Sequence, residues 1–470
     1  MSATTCELER IDAAIRTAVP ECIRGAQEFL RLPQFGPESV RAARDLGRRL
    51  TALGCEQLSE FQTKGYPILY AELPAGARET LIVYLMYDTA PVLDGSEWST
   101  PPFAAEIADL PAGRAIVARG ALARRAPAIA FLGAVQAIKD AGVRLPVNML
   151  FVAEGDENIG SPYLPEFYDA YRTRLERAAA TFFPAASQEA DGSVAIRLGA
   201  KGMLGLELVC DAAAWGRGPT TKDLHWGESG WVDSPMWRLA HAVSTLAGPD
   251  GSRVAIDGFY DTVVPPREDE IEMVRALPFD GAKARRQLGV ARFSAGANGL
   301  DAMLRNLYEP SIVLEGVWGS VPPITRLYRK AVARIDFRLI RNQTADDIEA
   351  KVRAHLATRG FADIAVTKLF AVPCSSIPRD DAVIEAAVRM YGEFGVTPEM
   401  WPSYSKTPPT SVFDRPYVSA GLGHGGNQAA RNEYLLVESK GKLQGFETLE
   451  RSFVRFLFEY AALRAGRART

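Results

Sequence analysis

The sequence is short of three things at once: cysteine, charge of one sign, and long apolar runs. Its five cysteines (Cys6, Cys22, Cys55, Cys210 and Cys374) are odd in number, widely scattered and never at C-x-x-C spacing. That argues against a disulfide framework and reads as reduced thiols of a cytoplasmic protein. Lys plus Arg number 54 against 57 Asp plus Glu, a net charge of -3. There is no basic field to draw nucleic acid or an anionic membrane surface, so neither is expected as a partner. Nowhere do roughly 18 apolar residues run together, the strongest candidates being short runs such as LIVYLM, and no membrane span is expected. The opening MSATTCELERIDAAIRTAVPECIRGAQEFLRL carries Glu7, Glu9 and Asp12 where a secretion signal would be basic and then apolar. It reads as an amphipathic helix, with the cytoplasm as the expected location.

What is present is a globular composition, 47% hydrophobic and 24% charged, in 470 residues. That is too much chain for one core and suggests two or three domains of roughly 100 to 200 residues. Residues 38–53 repeat apolar positions at helical spacing and stop at Gly54, a C-terminal cap. YPILYAEL and ETLIVYLMYD follow as strands, PAIAFLGAVQAIKDAG as a helix and VNMLFVAEGDE as a strand, the alternation of an α/β layered domain with a largely parallel sheet. Tyr87, Asp88 and the stretch Glu154 to Gly160 follow strands, where open α/β sheets carry their ligand sites. From Gly205 the order becomes GLELVCDA, a helix from Pro235 to Leu246, AVARIDFRLI, the helix TADDIEAKVRAHLATRG, and IAVTKLF. Strand and helix in this order predict a compact α+β insert over 205–370. The last segment, 371–470, returns to the first domain.

Several segments in order carry a family resemblance: YLMYDTAPV with Trp98 and PPF, ARGALARRAPA, EGDENIGS, DLHWGESG, ARIDFRLI and GLGHGGNQAARNEY. Together they resemble the aminoacylase and carnosinase type of dinuclear-zinc metallopeptidase, relatives of acetylornithine deacetylase and succinyl-diaminopimelate desuccinylase. The resemblance covers nearly the whole chain. It implies a zinc-peptidase-like catalytic domain (1–204 and 371–470) interrupted by an inserted α+β, ferredoxin-like lid (205–370) that dimerises.

The resemblance breaks at the metal ligands. The family's first histidine falls on Met86, although its partner Asp88 survives. The bridging aspartate falls on Ala123, followed by Arg124 and Arg125. The glutamate ligand falls on Asn158, the second aspartate near Pro184 to Ala186, and the last histidine on Ala429. Zinc takes about three or four thiolate, imidazole or carboxylate ligands, and these residues do not make that set. A metal lowers the pKa of its bound water from about 16 to about 7, worth roughly 12 kcal/mol. Hydrolysis of an unactivated amide by a metal-bound hydroxide is therefore not expected, and no metal or other cofactor is assigned.

Other positions persist. By resemblance, Glu157 is the general acid/base, and His225 in DLHWG is the lid histidine that reaches the partner subunit's site. Arg338 in DFRLI holds a substrate carboxylate, and His424 and Lys406 lie in loops beside the site. Arg124, Arg125 and Lys406 could supply positive charge where a metal pair stood, suiting an anionic substrate. Each has a plainer alternative. Glu157 could be an exposed relic, His225 an interface residue, Arg338 the partner of a lid carboxylate, and Arg124 and Arg125 a solvated face. Asp88 and Asn158 are expected to be structural near the site. Cys374 is a weak nucleophile candidate without an assigned base, and His241 and His355 sit in helical stretches as surface or packing residues.

Two functions follow. One is a metal-independent acid/base enzyme on a small, anionic, carboxylate-bearing amino-acid-like substrate, performing elimination, isomerisation or hydrolysis of an activated bond, as a homodimer through the lid. The other is a non-catalytic homologue that binds a ligand or a partner subunit. A conventional zinc hydrolase using Glu189 or Asp191 is a third, lesser reading.

Overall fold

The computed structural model describes residues 4–32, 39–92, 95–122, 124–319 and 325–467. The chain divides into two compact units, one of residues 1–198, 377–401 and 409–470 and the other of 199–376 and 402–408. The insert therefore begins at Gly199 rather than 205 and ends at Ser376 rather than 370. The short pairing of Gly199–Ala200 with Ser375–Ser376 closes its base. The 402–408 loop, which includes Lys406, also belongs to the insert rather than to the surrounding domain.

The first unit is built on a six-stranded sheet in the order Glu56–Phe61, Ile68–Leu73, Asn148–Glu154, Thr80–Met86, Ala180–Pro184 and Tyr417–Ala420. Its last three pairings are parallel and its first two antiparallel. The sheet is thus mixed: Glu56–Phe61 and Ile68–Leu73 pair as chain neighbours, and Ile68–Leu73 runs antiparallel to Asn148–Glu154, the edge of the parallel strands. Thr80–Met86 and Asn148–Glu154 are buried along almost their whole length, as strands covered on both faces must be, which explains their unbroken apolar runs. The helices Thr5–Leu30, Arg125–Asp140 and Phe446–Arg467 pack together on this sheet. Phe131, Phe182, Phe453 and Phe456 meet between the layers, with Phe182 stacked 4.0 Å from Phe456. Thr4 caps the first helix in a reciprocal box with Glu7.

The second unit is an antiparallel four-stranded sheet in the order Ser311–Trp318, Lys330–Leu339, Gly202–Asp211 and Ala365–Val372. Helices Pro235–Ser244 and Ala345–Thr358 lie on it. Leu204, Leu206 and Leu208 alternate inward and meet Leu239, Phe337, Val352 and Leu356 in its core. This is the expected α+β insert, enlarged by the helices Glu268–Ala276, Gly281–Leu288 and Gly299–Tyr308 and by the edge strand Ser311–Trp318. Among the described residues no helix is long and apolar enough to cross a membrane.

Candidate active site

Four side chains of the first unit converge at the carboxyl ends of two adjacent parallel strands. Thr80–Met86 and Asn148–Glu154 pair with Met86 opposite Glu154, and the Tyr87 N–H continues the ladder to the Glu154 carbonyl at 2.9 Å. Asp88 leaves the first strand fully buried. Glu157 and Asn158 lie in one 3-10 turn, Glu157–Ile159, after the second. Asp88 Oδ2 accepts from both the backbone N–H and the Nδ2 of Asn158, each at 2.8 Å. The two loops are thereby tied together through one carboxylate oxygen.

Arg124 enters this pocket from the loop before the helix Arg125–Asp140. Its Nη2 is ion-paired with Glu157 Oε2, its Nη1 donates to Asn158 Oδ1 at 3.0 Å, and its Nε lies 3.5 Å from Asp88 Oδ1. Its backbone sits at φ 92° and ψ -83°, a region that non-glycine residues occupy only under strain. The loop is fixed from behind by a buried pair. Arg119 Nη1 contacts Glu433 Oε2 at 3.1 Å and the Ala430 carbonyl at 2.8 Å, and Glu433 Oε1 accepts from the Leu122 N–H. The Arg119 guanidinium also lies 5.0 Å from the Trp98 ring. These anchors stand within the ARGALARR and ARNEY motifs, but their pairing was not readable from either motif alone.

The electrostatics follow from burial. Burial raises the Glu157 carboxyl above the ordinary carboxylate range, with Arg124 opposing and Asp88 reinforcing the rise. Burial alone would lower Arg124, but Asp88 and Glu157 hold it above its usual value. Behind them, burial pushes Glu154 up to about 8. Glu154 Oε1 accepts from the hydroxyls of Tyr84 and Ser161.

The two consecutive arginines have opposite fates. Arg125 does not face the pocket: it is fully buried, and its Nε donates to the Tyr87 carbonyl while Nη1 donates to those of Phe29 and Leu32. Burial lowers it to about 10. Its substrate-binding assignment is therefore corrected to a structural one, because its donors serve the backbone carbonyls of Tyr87, Phe29 and Leu32. His424 is likewise buried, with Nδ1 against the Gln188 carbonyl at 2.9 Å and Nε2 against the Tyr434 hydroxyl at 3.2 Å. Both ring nitrogens are engaged, which removes it from substrate contact. The solvated-face alternative fails for both arginines.

The second unit carries the other candidates. His225 is exposed on the short strand Leu224–His225, its Nδ1 accepting from the Gly227 N–H at 3.1 Å. Arg338 pairs with Asp336 at 3.0 Å and donates to Thr407 Oγ1 at 3.2 Å. Burial lifts Asp336 to about 6. Lys406 is exposed, with its ammonium 5.9 Å from the Tyr404 ring centre. Burial raises the Cys374 thiol, which makes it a poorer nucleophile. His241 is exposed, and His355 is buried against Thr245.

The residues at the aligned ligand positions do not fit a metal pair. Met86 is a buried thioether, Asn158 a carboxamide whose Nδ2 donates to Asp88, and Ala429 an exposed loop residue, while Arg124, next to the Ala123 position, brings a fixed positive charge beside Asp88 and Glu157. Ala123 lies outside the described residues. Glu189 is exposed, and Asp191 accepts from the Ser193 N–H and hydroxyl. Among the described residues no three His, Cys, Asp or Glu side chains converge so as to hold a metal ion.

The model of "Peptidase family M20/M25/M40" matches residues 85–451. A solved M20 family metallo-carboxypeptidase from Sulfolobus solfataricus is 30% identical, with a TM-score of 0.80 over 94% of this chain and 99% of that one. Human Beta-Ala-His dipeptidase is 26% identical over 71% of this chain and 64% of its own length. The Cys-Gly metallodipeptidase of Candida albicans is 24% identical over 87% of this chain and 85% of its own.

Proposed function

Because the chain belongs to the M20/M25/M40 peptidase family, we propose that it is an enzyme of hydrolase ancestry that works by acid and base chemistry without the family's metal pair. Its substrate is a small, carboxylate-bearing, amino-acid-like molecule. The observation that carries this reading is Arg124, whose guanidinium meets Asp88, Glu157 and Asn158. A fixed cation stands where the resemblance leads one to expect metal ions, and it orients the Glu157 carboxyl and opposes the burial that raises it. Glu157 Oε2 is held by Arg124, and Oε1 is the oxygen left to exchange a proton with substrate or water. Arg124 then supplies positive charge toward an anion forming in the pocket. Hydrolysis of an activated bond, elimination and isomerisation all suit such a site. His225 as oxyanion donor and Arg338 as carboxylate anchor belong to the proposal through resemblance alone.

A homodimer through the second unit is part of the same reading. Ser311–Trp318 is an edge strand with Val313 and Leu314 about half exposed, an open ladder that a second copy can extend. The cytoplasmic assignment is supported by five cysteines with no disulfide among them.

The Arg124 to Glu157 ion pair also favours a second reading, a ligand-binding homologue without turnover, since it draws the base into a neutral pair. A panel of dipeptides, including Cys-Gly and β-Ala-His, and of N-acyl amino acids separates the two. Turnover that survives chelator, and falls about 10²- to 10⁴-fold in Glu157→Gln, supports the enzyme. Saturable binding with no turnover of any member supports the second reading. Full activity of Glu157→Gln, or chelator inhibition reversed by zinc, contradicts the first.

A further inference from the structure

A groove of about 950 Å³ runs between the helix Ser39–Ala52 and the strand Glu56–Phe61, the edge of the first unit's six-stranded sheet. None of its lining residues belongs to the candidate active site. On the helical wall stand Arg41, Arg44 and Arg48, all exposed, three and four residues apart on one helix face. The facing wall carries Leu58 and, side by side across two strands, Glu60 and Leu69. Leu58 is 42% exposed, so this wall presents apolar surface to the groove. Gly47 lines the groove from the middle of the helix. A glycine there weakens a helix relative to alanine. A Cβ at this position would meet Leu58 Cδ2 at 3.6 Å, an ordinary contact, so close packing does not demand the glycine. Its missing side chain leaves space between the walls.

The groove is positively charged. The helix holds Arg41, Arg44, Arg48 and Arg49 against Asp45. Asp45 is shared by Arg49 at 2.6 Å and Arg48 at 2.8 Å. Arg44 makes no ion pair among the described residues. Facing these arginines is the carboxylate of Glu60, which accepts from the Gln62 amide at 3.2 Å. A guanidinium fork matches a carboxylate in both charge and shape, so the wall is complementary to acidic side chains.

We propose that this groove docks an extended acidic segment of a partner protein, in which carboxylates meet the arginine wall and the apolar side chains between them meet Leu58. Successive side chains of an extended chain point to opposite sides, and those on one side recur about every 6.8 Å. Arg41 and Arg48 are seven residues apart, about 10 Å along the helix axis, so carboxylates at alternate positions fall within reach of all three arginines. The groove is open to solvent. A small molecule lying in it would stay largely in water, whereas small-molecule sites bury about 70–90% of their ligand. A linear segment instead gains from several shallow contacts in a row.

The test is fluorescence anisotropy of the full chain with a labelled, end-capped peptide of alternating glutamate and leucine, compared with the glutamine–leucine and lysine–leucine versions and with citrate as competitor. Saturable binding of the glutamate peptide, weakening as salt is raised, is the expected result. It should fall at least tenfold in Arg44→Glu and several-fold in Leu58→Gln, both at exposed positions where the fold tolerates exchange. Glu157→Gln should bind the peptide as the parent does, which keeps this site separate from the active-site reading. Unchanged binding in Arg44→Glu, or loss of binding in Glu157→Gln, overturns the site. Equal binding of the lysine peptide, or displacement by citrate as effective as by unlabelled glutamate peptide, overturns the acidic-segment assignment. No saturable binding at millimolar concentration overturns both.

Discussion

Arg124 bears two costs, a strained backbone and a buried charge, and both are measurable. At φ 92° a glycine is relaxed where alanine is not. Both substitutions remove the guanidinium and leave Asp88 and Glu157 facing each other without a cation. Breaking a buried ion pair from one side costs about 3 to 5 kcal/mol, and Arg124→Ala should lose that much in urea unfolding. Arg124→Gly should lose about 1 kcal/mol less, through relief of the backbone. Adding Asp88→Asn to Arg124→Ala should recover part of the loss by removing one of the two facing charges. Equal stability of Arg124→Ala and the parent would mean that the guanidinium holds nothing together. Sequence alone could not divide the roles of Arg124 and Arg125. They are adjacent cations in one motif, and only the backbone turn at Arg124 sends one toward Asp88 and the other toward the carbonyls of Phe29 and Leu32. His424 was misleading for a similar reason: a histidine in a glycine-rich loop looks available until its two nitrogens are traced to Gln188 and Tyr434.

The elements that carry the site were the most legible ones. Thr80–Met86 and Asn148–Glu154 are continuous apolar runs because both faces are covered, and the chemistry lies where they end. Less legible were Ser311–Trp318, whose apolar residues are partly exposed and interrupted by Glu315 and Gly316, and the charged helix Gly281–Leu288, which buries no residue and so lacks an apolar stripe. Glu154 closes its strand with its carboxyl raised to about 8 by burial. The folded state holds this proton more tightly than the unfolded chain, where a glutamate titrates near about 4.3. Its contribution is therefore fully present below that value and is lost as pH rises toward 8, at about 1.4 kcal/mol per unit of pKa difference. Glu154→Gln should flatten the decline of melting temperature between about pH 5 and pH 8. Glu450, also raised to about 8 by burial, has the same sign and adds to the residual slope, which Glu450→Gln should reduce further. An unchanged slope in Glu154→Gln would show that its carboxyl is ionised in the fold.

At the scale of the whole molecule, family membership and architecture were readable because many short motifs stand in order along the chain, and the insert differs from its expected bounds where its strands and the pairing at its base run on past 205 and 370 and where the 402–408 loop joins it. Oligomeric state is the first consequence to test. Leu314→Lys on the exposed edge strand should convert a dimer to a monomer in sedimentation velocity while leaving each unit folded. A monomeric parent at micromolar concentration would remove the lid interface from the account. The central claim is that Arg124 stands where the family resemblance expects metal. Its most direct measurement is metal content: elemental analysis of the full chain, purified without chelator and titrated with zinc, manganese and cobalt. With Arg124 beside Asp88 and Glu157, far less than one tightly bound metal per chain is expected. Two tightly bound metals per chain, held by residues of that pocket, would contradict it.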